Sequence, residues 1–460
     1  MLTYDLSARG KTPIYEYLCG CLRRDIYAGR LAVGEKLPGR RSLAEHLGVS
    51  EITVNTAYMQ LAAEGCLVSV PRRGMYVAAR PLAPGPDAPR EARSAEAGPR
   101  WRLDLRSGRI EEALFPSSAW ARLTRRVLSE EPRALVEGVP HEGLYALREA
   151  VSDYLRGYKG LDAPPERIVI GAGSEFLYLM LAQLFSGRSF ALEDPGYPKI
   201  RETYAACGIK CLPVPLDAHG VSPAALAASG AGALHISPAH QYPSGLVTPM
   251  PRRQELLDWA ERTGGYIVED DYDSELGFTA RPLPTLAGID RAERVLYMTT
   301  FSQTISPGLR VSCLVLPEAL TGLWRERVGF YSSAVPNLEQ HVLARFIASG
   351  GYERHLSRLR KTLRERRAAV LEAFRSSAFA PCCEIAEPAA GLHFLMRADT
   401  PLTDAELKRR AGELGVRLAF LSDFAFDESS AEPHTLVINY AGLNGERLGA
   451  AVGLLERIIC

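Results

Sequence analysis

The stretch from residue 79 to residue 100, ARPLAPGPDAPREARSAEAGPR, limits what this chain can fold into more than any other feature. Five prolines stand among alanine, glycine and charges of both signs, and no apolar period gives a helix or strand a face to bury. The stretch reads as an exposed linker, so the chain must build separate cores from residues 1–78 and 101–460. Composition permits both. Hydrophobic residues make up 47% and charged residues 23%, ordinary globular values. At about 100–200 residues per domain, two or three domains are expected.

Charge and cysteine content narrow the function classes. The formal net charge is zero, which excludes a polycation. Residues 1–79 carry ten Lys/Arg and seven Asp/Glu, a net of +3 against −3 for the rest, which permits nucleic-acid binding. Nine cysteines without a CxxC pair read as reduced thiols, and no metal site is expected. No apolar signal core opens the chain, and no run of about 18 apolar residues occurs. A cytoplasmic protein with no membrane span is expected.

In the first block, Thr12-Pro13 opens a helix with Pro at its first position, and Ile14, Leu18, Leu22 and Ile26 recur at spacing four. Gly29 ends it. A short helix follows around Ser42–Leu47, then Gly48, then a helix from a Ser50 cap to about Ala63, stopped by Gly65. Leu67–Val70 and Met75–Val77 read as strands around a Pro71–Gly74 turn. Helix, helix-turn-helix and hairpin is the order of a winged helix. The helix after Ser50 would enter the major groove, with Glu51, Thr53 and Asn55 near base edges or phosphates. Arg40, Arg41 and Ser42 would cross the backbone. Arg72 and Arg73, ahead of Gly74, would extend from the wing.

In the second block, apolar strand candidates alternate with helical stretches: Ile168–Ile170, Phe190–Leu192, Cys211–Val214, Ala233–Ile236, Tyr266–Val268, Val295–Met298 and Val311–Leu316. That alternation predicts a mostly parallel, doubly wound sheet. Beyond about residue 320, a long charged helix (Arg354–Phe374) leads into a shorter α+β region.

The run from LPGRRSLAEHLGVSEITV into NTAYMQLAAEG and the wing resembles the GntR-type winged helix. It departs from the family pattern at Glu51, where Arg is usual, and at Gly39, where Ser is common. Glu51 suits a cytosine amino group and repels phosphate, so an altered operator is expected; alternatively it only favours the helix N-terminus.

HEGLYALREAVSDYL, GAGSE, LEDPGYPK, SPAHQYPSG, VEDDYDSEL and TTFSQTISPGLR resemble fold type I pyridoxal-phosphate enzymes. With the winged helix in front, the whole chain resembles the MocR-like branch of GntR regulators. The resemblance implies a multi-domain α/β protein: winged helix (1–78), linker (79–100), large aminotransferase-like domain (101–320) and small C-terminal domain (321–460). It implies that Gly173, Ser174, Ser302 and Arg310 hold a phosphate. Tyr197 would lie on the pyridine ring, Asp270 would pair with the ring nitrogen, and Tyr272 would bond the phenolic oxygen, with His240 and Gln241 on that side. Lys199 falls where some relatives face a substrate carboxylate with Arg. Singly, each residue has an ordinary reading as a cap, a core ring or a surface charge. Their order and spacing carry the resemblance.

The departure that matters most is Gln303. Relatives read Ser-Lys there, and Arg310 keeps the expected offset of seven, so the register holds. An amide nitrogen neither forms a Schiff base nor moves the proton of transamination. No catalytic residue is therefore assigned. Glu175 falls in the phosphate cup, where it would repel a phosphate if it faced inward and favour the helix N-terminus if it faced solvent. Val437 stands where many relatives carry the carboxylate-binding Arg. Three ligand states stay open: non-covalent pyridoxal 5'-phosphate or another B6 vitamer, including an aminated form or a preformed aldimine; another small anion; or a covalent bond to Lys199. The expectation is a homodimeric transcription regulator that binds a double-stranded DNA operator and senses a small-molecule effector. The alternatives are an active aminotransferase with an appended DNA-binding domain, and a constitutive DNA-binding protein.

Overall fold

The computed structural model describes residues 2–10, 12–78, 101–106, 111–277, 283–386 and 391–459. The linker expected over 79–100 lies outside them. The chain divides into two compact units, residues 1–99 and 100–460.

In the first unit, α1 (Ile14–Tyr27), α2 (Arg40–Leu47) and α3 (Glu51–Ala63) precede the hairpin β1 (Leu67–Val70) and β2 (Gly74–Val77). Pro13 stands at the N-cap of α1, one residue earlier than the first-turn position expected for it. Three of the four residues of the spacing-four stripe join the core: Leu18, Leu22 and Ile26 are buried against Leu43 of α2 and Val54, Tyr58 and Leu61 of α3, while Ile14 is half-buried. Each such side chain contributes about 1.5–3 kcal/mol when buried. Gly48, left-handed at φ 67°, closes α2, and the Ser50 side chain accepts from Thr53 N to start α3. The Tyr58 hydroxyl donates to Pro38 O at 2.9 Å and pins α3 to the entry of α2.

In the second unit, β3 (Ile168–Gly171), β4 (Phe190–Asp194), β5 (Cys211–Asp217), β6 (Gly220–Val221), β7 (Ala233–Ile236), β8 (Tyr266–Asp271), β9 (Val295–Thr300) and β10 (Ser312–Val315) form one sheet among the described residues. Their order is β3-β10-β9-β8-β7-β4-β5-β6. Pairs from β9 through β8, β7 and β4 to β5 are parallel, and β10 runs antiparallel to both its neighbours. All seven strand segments expected from the sequence are present. The strands β3, β4, β7, β8 and β9 are buried along their length apart from the last residue of β4, as strands covered by helices on both faces must be.

The smaller sheet contains β11 (Cys383–Ala386), β12 (His393–Ala398) and β13 (Thr435–Asn439), all antiparallel. The division between large and small domains is not at 320/321. Val342, Leu343, Phe346 and Ile347 pack in the core under β3, together with Leu356. Val370, Leu371 and Phe374 pack with the small sheet. One helix, Gly351–Arg375, therefore spans both cores. Leu103 and Leu105, assigned to the large domain by the sequence, also belong to the small-domain core. Leu103–Asp104 pairs in parallel with Val416–Arg417.

Candidate nucleic-acid interface and ligand pocket

On the first unit, Arg40, Arg41, Arg72 and Arg73 are exposed, as are Ser42, Ser50 and Glu51. Two expected base readers are already engaged. The Thr53 hydroxyl lies 2.8 Å from Ser50 Oγ, and Asn55 Oδ1 accepts from Arg40 at 2.6 Å. Asn55 keeps its amide hydrogens for an outside partner, while Arg40 spends one donor on holding it. Ile52, not singled out from the sequence, is 77% exposed beside Glu51 at the start of α3. An apolar side chain there suits a thymine methyl. The wing turns through Arg72 at φ 61°. At Gly74 (φ 116°) a Cβ would lie 3.3 Å from Lys36 Cε, so glycine lets the hairpin close against that side chain.

On the second unit, a cavity of about 260 Å³ opens at the C-terminal ends of the parallel strands. Open parallel sheets place ligands there. Glu193 of β4, Ser237 after β7, Asp270 of β8 and Thr300 of β9 line it. So do six of the expected residues besides Asp270: Ser174, Tyr197, Tyr272, Ser302, Gln303 and Arg310.

Helix α4 (Ser174–Leu184) starts at this cavity behind Gly173, whose φ is 88°. A Cβ at Gly173 would lie 2.6 Å from the Arg310 guanidinium carbon. Glycine thus allows Arg310 to lie across a helix N-terminus, an arrangement that suits an anion. Gly173 itself supports the wall and does not line it. The Ser302 hydroxyl is buried without a hydrogen-bond partner among the described residues.

Asp270 is buried, and its Oδ2 accepts from the Tyr178 hydroxyl at 2.6 Å. His235 Nε2 lies 3.4 Å from the same oxygen, and Tyr204 meets His235 Nδ1 at 2.8 Å. Burial holds both tyrosine hydroxyls well above their usual range, so they remain donors. With Tyr204 donating to Nδ1, Nε2 carries the proton facing Asp270. Asp270 Oδ1 has no partner among the described residues. A buried carboxylate oxygen left open in a cavity wall can accept from a donor that enters the cavity.

Three expectations are corrected. His240 is 1% exposed and does not line the cavity. Its Nδ1 lies 2.9 Å from Asp273 Oδ2 and 3.0 Å from the Tyr272 hydroxyl, so it acts from behind by fixing Tyr272. Lys199 is also outside the wall. Its Nζ is 2.5 Å from Glu175 Oε1, and that hydrogen bond holds its pKa up. Glu175 does not merely face solvent: it lines the cavity, bonded to Lys199 and to Arg310 at 2.5 Å, with its pKa lowered first by Lys199. Gln241 spends its amide on Pro195 O and Tyr242 O.

Among the described residues no lysine lines the cavity. Lys159 is buried, 2.8 Å from Asp271 Oδ2 and 3.1 Å from Glu275 Oε1, and is held protonated by those carboxylates against the opposing effect of burial. Val437 is buried among Ala419, Phe424, Tyr242 and Leu395. Sequence reasoning missed Arg106, Tyr242 and Asn439, which line the small-domain side. Glu193 was missed too; burial pushes its carboxyl up to about 8, and Ser237 N donates to it at 3.2 Å.

A winged helix joined to a fold type I aminotransferase-like unit defines a DNA-binding regulator of composite build. Comparison with known proteins gives the family. Residues 14–77 match the model for bacterial regulatory proteins of the gntR family, and residues 103–417 match aminotransferase class I and II. The chain belongs to the GntR family, in its MocR-like branch. It is 32% identical over 486 residues to the probable rhizopine catabolism regulatory protein MocR of Rhizobium meliloti, covering 99% of this chain and 95% of that protein. It is 33% identical over 401 residues to the pyridoxine biosynthesis transcriptional regulator PdxR of Corynebacterium glutamicum, covering 87% and 86%. The α-aminoadipate aminotransferase LysN of Thermus thermophilus, solved with N-(5'-phosphopyridoxyl)-L-leucine, shares the fold with a TM-score of 0.69 and 29% identity. That match covers 78% of this chain and 92% of that one. Among the described residues, no helix is long and apolar enough to cross a membrane.

Proposed function

We propose that the aminotransferase-like unit of this transcription regulator binds a B6 vitamer without a covalent bond and senses it, or an amino compound with it, without transaminating. The observation that carries the reading is Gln303 in the cavity wall, where no described lysine stands in its place. The donor set fits the vitamer. The open Oδ1 of Asp270 suits a protonated ring nitrogen, and Tyr272, fixed by His240, suits a phenolic oxygen. The Gly173–Arg310 cradle with the open Ser302 hydroxyl suits a phosphate. A bound vitamer supplies an electron-withdrawing ring. Gln303 can supply neither the anchoring amine nor the proton transfer that would exploit it. Lys199, tied to Glu175 as an ammonium, is a poor substitute.

Two protomers would place two winged helices on two half-sites. A ligand regulates such an assembly only if it favours one arrangement of the DNA-binding units over another. The test is to load the full chain with pyridoxal 5'-phosphate, treat half with borohydride, remove free ligand, and record intact mass and retained vitamer. Retention without a mass increase is expected. A borohydride-fixed adduct on one lysine, or turnover with mixed amino acids, overturns the reading.

A further inference from the structure

We infer that the second unit carries a separate anion site for a small phosphorylated compound. It lies in a cavity of about 540 Å³ between the start of the helix Ser117–Glu130 and the first turns of the helix Gly351–Arg375.

The charges on its wall are of one sign. Arg122, Arg354 and Arg358 line it, and no described carboxylate does. Arg354 donates to Ser349 O at 3.0 Å, which leaves most of its guanidinium free. Arg122 and Arg358 have no hydrogen-bond or ion-pair partner among the described residues. Three cations around one hollow repel one another, and an anion between them relieves that. The forked donors of arginine suit phosphate oxygens. Both helices add to the effect. Ser117 and Ser118 begin one, Gly351 begins the other, and neither helix has a side chain capping its first turn. Two positive helix ends therefore lie at the same hollow. The B6 cavity uses none of the charges of the helix Gly351–Arg375.

A buried acceptor makes this a site for a small molecule. His355 lines the cavity although it is only 3% exposed. Its Nε2 donates to Thr304 O at 2.6 Å, and its Nδ1 has no partner among the described residues. Burial holds the ring below the usual histidine range, and the charge of Arg358 acts in the same direction. The ring is therefore neutral, with Nδ1 an open acceptor for a hydroxyl of a phosphorylated compound. Backbone phosphates lie on the convex outside of a duplex and do not reach so deep a ring. The volume is that of a small-molecule site, about 300–1,000 Å³.

Calorimetry on the full chain with inorganic pyrophosphate tests the site. R310Q, which removes the cation of the B6 cavity, should still bind one pyrophosphate per chain. R122Q/R358Q should weaken that binding about ten-fold or more, and R122K/R358K should retain part of it. Both arginines are exposed, so folding should be unaffected, which the Tm of each variant checks. Pyrophosphate binding that disappears in R310Q overturns the proposal, as does binding that is unchanged in R122Q/R358Q. A flattened salt dependence of duplex binding in a double variant that keeps pyrophosphate would assign these arginines to DNA instead. Failure of the unaltered chain to bind pyrophosphate at millimolar concentration overturns the site outright.

Discussion

The Glu175 carboxylate meets the Arg310 guanidinium at 2.5 Å, at the spot where that guanidinium lies over Gly173 at the start of α4. In the proposed phosphate cradle an internal acid thus competes for the cation. The pair is about one-third to one-half exposed, so solvent weakens it, and such pairs contribute about 0–1 kcal/mol. Glu175→Gln should therefore strengthen binding of pyridoxamine 5'-phosphate a few-fold, with the gain shrinking at high salt. Calorimetry at two salt concentrations reads this. Weaker binding in the variant would mean that Glu175 is needed to hold Lys199 and Arg310 in place.

Gln303 provides the second prediction. It lines the cavity in the loop after β9, next to Ser302, and an amine of similar length would reach the same space. Gln303→Lys should give a chain that borohydride fixes to pyridoxal 5'-phosphate at residue 303, read as a mass increase mapped by peptide analysis. Without an arginine at 437, turnover of amino acids should stay low even then. If no adduct forms at position 303, the register that equates Gln303 with the lysine of relatives is wrong.

Much of this was legible in the sequence, for identifiable reasons. Continuous apolar runs reveal buried strands, and all seven segments so marked are strands. Strand direction was not legible, because a run such as Ser312–Val315 reads the same either way; only its pairing makes it antiparallel. The resemblance assigned Ser174, Tyr197, Asp270, Tyr272, Ser302 and Arg310 to one pocket, and all six line one cavity. It could not tell wall from support, so His240 stands one layer further back than its motif implies. Arg106 carried no signal: it follows a two-residue strand whose partner lies more than 300 positions away at Val416–Arg417. The same long-range pairing explains why Leu103 and Leu105 belong to the small-domain core.

Glu193 makes stability depend on pH. Its carboxyl is pushed from 4.5 up to about 8 by burial. Between those values the folded chain keeps a proton that the unfolded chain releases, so this contribution is full below about 4.5 and is lost as pH rises through about 8. Gln imitates the neutral carboxyl at every pH. The Tm of Glu193→Gln relative to the unaltered chain should therefore rise steadily from about pH 5 to about pH 8.5. A difference that stays flat over that range would place the Glu193 pKa near its ordinary value.

The DNA-binding unit carries its own prediction. Arg41 at the start of α2 and Arg72 at the wing turn are both exposed, and neither belongs to the apolar core that holds the winged helix together. Replacing them should leave folding intact while removing two phosphate contacts. Each phosphate left without its cation should lower the slope of log affinity against log salt by about 0.9, so Arg41→Ala with Arg72→Ala should flatten it by roughly 2. The weakening should be similar on operator and on unrelated duplex, because phosphates carry no sequence. Glu51→Arg gives the contrast: Glu51 opens α3, and the proposed base-reading role predicts that the variant changes which duplexes bind best more than it changes the overall affinity. Fluorescence anisotropy over a salt series, with operator and scrambled duplexes, measures both. An unchanged slope in the double variant would mean that the winged helix meets DNA through another face.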